Sequence, residues 1–186
     1  MNKLIKLLII AFVTTSHASS FNPAALGGFA ISVDLFKYIL NNLEKGGTIL
    51  ELGSGSGTGE LAKFYKVYSI EHDKNWLNKY NTTYIYAPIV SYQEYKWFNI
   101  DILKKSLPTI DYDLILVDGP PGTIGRAGFF YNLALFDTAK TIIFDDVQRG
   151  AELVLLKNVS QKLNRPYKII KCSDGKVFGV INARRA

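Results

Sequence analysis

The segment Ile49-Leu50-Glu51-Leu52-Gly53-Ser54-Gly55-Ser56-Gly57-Thr58-Gly59 constrains the fold of this chain more than any other. An apolar run carries a carboxylate near its end, then turns through glycines at every second position. A buried strand that stops in such a turn, with a helix following, lets a ligand press against bare backbone. The spacing also says what the turn is not. A dinucleotide fingerprint needs Gly-x-Gly-x-x-Gly. Counted from Gly53, the third glycine position holds Thr58; counted from Gly55, it holds Glu60. The observed word is acid-x-Gly-x-Gly-x-Gly, with Glu51 as the acid. A second short strand, Val67 to Ile70, ends at Glu71, twenty positions after Glu51. A carboxylate about 20 residues past a glycine turn, at the tip of the next strand, accepts hydrogen bonds from ribose hydroxyls.

Periodicity extends the pattern along the chain. Phe29 to Leu43 has apolar residues at helical spacing and stops at Gly46-Gly47. Strands are expected at Thr48–Leu52, Val67–Ile70, Thr83–Ala87, Asp113–Val117 and Thr141–Phe144. Helices are expected from near Thr58, over Lys74–Tyr80 behind an Asp73 cap, over Arg126–Ala139 and over Gly150–Leu163. The third of these is expected to turn Phe130, Leu133, Ala134 and Phe136 inward. Ser91 to Pro108 reads as loop plus a short helix. Tyr167–Cys172 and Lys176–Ile181 flank Ser173-Asp174-Gly175, a hairpin signal. Strands alternating with helices give an α/β fold: a Rossmann-like, doubly wound, mostly parallel sheet, closed here by a C-terminal antiparallel hairpin strand.

Length and composition set the outer bounds. The 186 residues make one domain with a real core, and 48% apolar content excludes a chiefly disordered chain. The net charge of +6 comes from scattered lysines and arginines, so a nucleic-acid partner is not expected from charge alone. Cys172 is the sole cysteine, which excludes an internal disulfide and a cysteine-based metal site. Lys3 and Lys6, the apolar run Leu7 to Val13 and the small-x-small site Ser16-His17-Ala18 read as a signal peptide over residues 1–18, leaving residues 19–186 as the single domain. That run is too short for a comfortable transmembrane span. Export, or membrane association through this signal, is expected, with a cytoplasmic protein as the alternative.

In an open α/β sheet, ligands sit beyond the carboxyl ends of the strands. Glu51, Glu71, Asp118, Asp145 and Asp146 all stand at such ends. Five carboxylates on one rim repel one another unless ligands or cations neutralise them. Oxygen ligands from two adjacent strands suit Mg²⁺ or Mn²⁺, so Asp118, Asp145 and Asp146 are candidate metal ligands. The alternative is that Asp145-Asp146 caps the next helix and Asp118 holds the Gly119-Pro120 turn. Arg126, after the Pro120-Pro121-Gly122 loop, is a candidate to face an anionic substrate group. Arg149 is a weaker candidate for the same role.

The glycine word with Glu51 and Glu71 resembles the first motifs of class I S-adenosylmethionine-dependent methyltransferases, and the resemblance runs from about Phe29 to the end. It implies S-adenosylmethionine as cofactor, with Glu51, Gly53, Ser54, Gly55, Gly57, Glu71 and His72 around it. The aspartate set resembles the metal-dependent O-methyltransferases of the catechol type. These hold a divalent cation with an Asp after strand four and an acidic residue plus Asp or Asn after strand five. The words Ser69-Ile70-Glu71-His72-Asp73, Val117-Asp118-Gly119-Pro120 and Phe144-Asp145-Asp146-Val147 are also similar to plant-type glucuronoxylan O-methyltransferases. The resemblance implies methylation of a hydroxyl on a small molecule or sugar, with Asp118 and Arg126 nearest the chemistry. Two alternatives stay open. One is a cofactor-binding module without turnover. The other is an N-methyltransferase acting on nucleic acid or protein, against which Gly119 and Gly122 break the expected Asp/Asn-Pro-Pro-aromatic word.

Overall fold

The structure, a computed structural model, describes residues 21–26 and 30–184. The expected signal at residues 1–18 and the helix start at Phe29 lie outside the described residues. The first helix, α1, covers Val33–Asn42 and is capped by Ser32, whose hydroxyl accepts from the Leu35 amide at 3.0 Å. It buries Leu35, Phe36 and Ile39. Strand β1 is Thr48–Leu52, helix α2 is Ser56–Leu61 and strand β2 is Lys66–Glu71.

The expected helix over Lys74–Tyr80 is only a 3-10 turn, Lys74–Trp76, whose first amides are held by Asp73. Leu77 is extended and Asn78 takes a left-handed φ of 62°, so the helical path ends there. No buried side chain in this turn rewards a longer helix. Strand β3, Thr83–Tyr86, follows. An unexpected hairpin comes next, β4 (Ile89–Ser91) with β5 (Lys96–Phe98), then helix α3 (Ile100–Ser106). Trp97 and Phe98 are fully buried, which is why so short a strand persists.

Strand β6, Leu114–Val117, is buried at every position, as the continuous apolar run requires of a central parallel strand. Each such side chain contributes roughly 1.5–3 kcal/mol of burial. The expected helix Arg126–Ala139 is broken into α4 (Gly128–Tyr131) and a 3-10 turn, Leu133–Leu135. Asn132 makes the break: its side-chain amide donates to the Gly128 carbonyl at 2.8 Å and to the Tyr95 hydroxyl at 3.1 Å. Inward positions shift with it. Phe129 is buried, Phe130 only partly, and Ala134 is exposed. Strand β7 (Thr141–Phe144), helix α5 (Gly150–Leu163) and the hairpin β8 (Tyr167–Lys171) with β9 (Val177–Ile181) complete the chain.

The seven-stranded sheet runs β3-β2-β1-β6-β7-β9-β8, parallel except at the last two strands. The order reverses between β1 and β6, so a crevice opens there at the carboxyl edge. Alternate residues of each strand feed two cores. Leu50, Leu52, Ile115 and Val117 pack with α5, while Ile49, Leu114 and Leu116 pack with α1. A helix layer on each face is what places the strand ends, and their carboxylates, along a single rim.

Candidate functional site

At the end of β1 the chain turns through Gly53 at φ +88°, and Gly119, after β6, lies against it. A Cβ on Gly119 would stand 2.6 Å from the Gly53 Cα, so the two backbones touch only because both lack side chains. Beyond this contact Ser54 turns inward. Its amide donates to Glu71 Oε2 at 2.8 Å, while the amides of His72 and Asp73 donate to Glu71 Oε1 at 2.6 and 2.7 Å. Three backbone donors fix the Glu71 carboxylate at the tip of β2. His72 Nδ1 lies 2.9 Å from Glu71 Oε1 in a geometry that makes no hydrogen bond, and its ring meets Phe98 edge-on.

Glu51 lies one layer deeper. Its Oε2 accepts from Thr58 at 2.8 Å and from Ser69 at 2.6 Å. Thr58 in turn accepts the Gly55 amide at 2.9 Å and so ties the start of α2 to the acid of β1. Burial pushes the Glu51 carboxyl up to about 7; the two hydroxyl donors oppose the rise and the Glu71 charge adds to it. Ser69 faces Glu51 across the β1–β2 register, a pairing that follows once the strands are aligned.

The turns after β6 and β7 bring Asp118, Asp145 and Asp146 together, with one oxygen of each within 4.8 Å of the others. Asp146 has a left-handed φ of 61°, which turns its carboxylate back toward Asp118. Arg126 lies among them and is 5% exposed. Its Nη2 donates to the Asp118 carbonyl at 2.6 Å, to Asp118 Oδ1 at 3.2 Å and to Asp146 Oδ2 at 3.0 Å. Its other nitrogens reach the carbonyls of Pro120, Val117 and Asp145. The guanidinium is therefore spent on the protein and fastens the β6 and β7 turns to each other. Arg149, half exposed at the rim, also reaches Asp146 Oδ2, at 2.9 Å.

Two arginines do not relieve the crowding. Burial pushes the Asp118 carboxyl well up, the Asp145, Asp146 and Glu51 charges push it further, and Arg126 opposes them. Burial and then Asp146 raise Asp145 to about 6. Asp145 Oδ1 is buried with no hydrogen-bond partner among the described residues. Three crowded carboxylates with an orphaned oxygen fit a hard divalent cation, which prefers oxygen ligands and would relieve the repulsion.

Both halves open into a single cavity of about 490 Å³, of the size that takes a small-molecule ligand. Of the residues expected at the cofactor, Gly53, Ser54, Glu71 and His72 line it. Glu51 supports from behind; Gly55 is the residue before α2, and Gly57 packs on Ile31. Asp118, Arg126, Asp145 and Asp146 line the other half. Trp76, Gln148 and Lys176, which no motif in the sequence marks, also line it. Gln148 holds Asp146 Oδ1 at 3.2 Å and accepts the Val177 amide at 2.9 Å, so it links the aspartates to β9. Only the position of Gln148, two residues past Asp146, signals this in the sequence.

Neither a protein-family model nor a curated protein sequence matches the chain. Solved structures do. A methyltransferase from Pyrococcus furiosus matches with a TM-score of 0.52 and 15% identity, covering 82% of this chain and 83% of its own. The human methyltransferase 10 domain containing protein matches at 0.53 and 15%, covering 82% of each chain. A methyltransferase-like protein from Silicibacter pomeroyi matches at 0.50 and 17%, covering 85% of this chain and 92% of its own. At such identities the likeness speaks for architecture, and together with the strand order and the terminal antiparallel pair it identifies the fold: the chain has the fold of the class I methyltransferases.

Proposed function

We propose that this protein is an S-adenosylmethionine-dependent methyltransferase that methylates a hydroxyl of a small molecule or sugar with the help of Mg²⁺ or Mn²⁺. The observation that carries the reading is the shared cavity: the glycine turn with Glu71 forms one wall, and the three-aspartate cluster forms the other. Three amides take three of the roughly four lone-pair sites of the Glu71 carboxylate and leave one, on Oε2, for a ribose hydroxyl, and the Gly53–Gly119 contact leaves bare backbone beside it. Asp118, Asp145 and Asp146 would hold the cation. Bound cofactor supplies an activated sulfonium methyl, and a bound cation lowers the pKa of an acceptor hydroxyl.

The chain's own work is alignment. An acceptor oxygen must stand about 3 to 3.5 Å from the methyl and in line with it. Asp118 is the aspartate best placed to face it, since its side chain is 19% exposed while that of Asp146 is 9% exposed. Arg126 keeps Asp118 and Asp146 in register and is read as a positioning residue.

The test is transfer of labelled methyl from S-adenosylmethionine to a panel of catechols, sugars and uronates, with Mn²⁺ or with chelator. The reading expects transfer that needs metal and is lost in Asp145→Asn. Transfer that persists in chelator removes the metal from it. Cofactor binding without transfer to any hydroxyl favours a binding module. Residues 1–18 are read as an export signal; among the described residues, no helix is long and apolar enough to cross a membrane. An amino terminus at Ser19 in exported protein supports the signal, and retention of Met1 there opposes it.

A further inference from the structure

A second cavity, of about 660 Å³, lies at the far end of the sheet, where β7 begins rather than where it reaches Asp145. It forms where the chain leaving α5, the start of β8 and the segment after β9 converge. Its charged lining residues are Arg165, Lys168 and Arg184, and Asn164 and Asn182 add amide donors. Among the described residues, none of its lining residues is acidic.

Arg165 is the unusual member. It is 8% exposed, and no ion pair joins it to a carboxylate among the described residues. Its terminal nitrogens donate to the carbonyls of Thr138, Lys140, Ile181 and Asn182, while its Nε is buried without a partner. Carbonyl dipoles solvate a guanidinium but do not cancel its charge, and a buried charge without a counter-ion is costly. Burial, and then the neighbouring Arg184 charge, both work against the charged form of Arg165. Lys168 and Arg184 are exposed and free of ion pairs among the described residues, so their ammonium and guanidinium groups are available at the mouth.

We propose that this second cavity binds a small phosphate- or sulfate-bearing anion, held by the Lys168 and Arg184 side chains over the buried guanidinium of Arg165. Arginine and lysine grip such oxyanions through charge-assisted hydrogen bonds. The volume exceeds that of a bare oxyanion and suits an anion carried on a small organic body. Nothing in this site depends on the methyltransferase cavity.

The experiment is calorimetric titration of pyrophosphate and, separately, of sulfate into the full chain, with ionic strength held constant by chloride. The comparison is the double variant Lys168→Ala, Arg184→Ala, whose positions are exposed and whose fold is checked by its melting curve. The proposal expects saturable binding of at least one oxyanion, weakened by about tenfold or more in the double variant, because both truncated side chains donate charge-assisted hydrogen bonds to the anion. Preference for pyrophosphate or for sulfate assigns the head group. Two results overturn the proposal: no saturable binding of either anion, or binding that the double variant retains, which would place the anion elsewhere. Arg165→Met adds a second check. With its fold checked by the same melting curve, weaker binding supports the proposal and unchanged affinity overturns it as stated.

Discussion

Glu51 shows how a single buried acid links pH to stability. Its carboxyl, raised to about 7 from an ordinary 4.5, binds a proton more tightly in the folded chain than in the unfolded one. The stabilisation is therefore complete below about 4.5 and is lost as pH rises through 7, with a ceiling of roughly 3 kcal/mol. Denaturant unfolding of the ligand-free protein at pH 5 and pH 8 is expected to show lower stability at pH 8, with a smaller difference in Glu51→Gln. An equal difference in the variant would assign the effect to other groups. Asp145 is expected to behave as a strained ligand. Asp145→Asn removes a charge from a crowded cluster, so the metal-free protein should melt higher, while the stabilisation by added Mn²⁺ should shrink or vanish. A lower melting point in chelator would contradict this. These acids were legible because each stands at or next to the end of an apolar run. The burial of Arg126 was not: it depends on β6 and β7 being neighbours and on turns that aim their carbonyls at the guanidinium.

Among the elements, the backbone contact between the turns after β1 and β6 is the tightest constraint on the site. Gly119→Ala sets a methyl against the Gly53 backbone, which cannot rotate aside as a side chain would. It is expected to cost more than about 2 kcal/mol and to weaken cofactor binding. Gly150→Ala is the contrast: it opens α5, has no neighbour within 4 Å of the added carbon, and is expected to be neutral or mildly stabilising. Denaturant curves of the two variants check both. The central strands were legible because buried parallel strands read as unbroken apolar runs. The β4–β5 hairpin was not, because its strands are three residues long and their aromatics fit a packed loop equally well. The break in α4 depends on Asn132 meeting Tyr95, a contact 37 residues apart in sequence that no local pattern reveals.

For the molecule as a whole, alternation of strands and helices with a closing hairpin was enough to anticipate the doubly wound sheet, because right-handed crossovers leave few other topologies. The same topology gathers the acids on one edge and leaves the basic cavity on the other. What the cavity admits is a matter of the side chains around it, such as Trp76, Gln148 and Lys176, whose convergence no spacing rule supplies. Cofactor binding at the glycine turn is tested by calorimetric titration of S-adenosylhomocysteine into the wild type and into Glu71→Ala, both verified as folded. Saturable micromolar binding is expected for the wild type, and a loss of about tenfold or more in the variant, as when a charged hydroxyl acceptor is removed. No binding to folded wild type, or equal binding to both proteins, would contradict it.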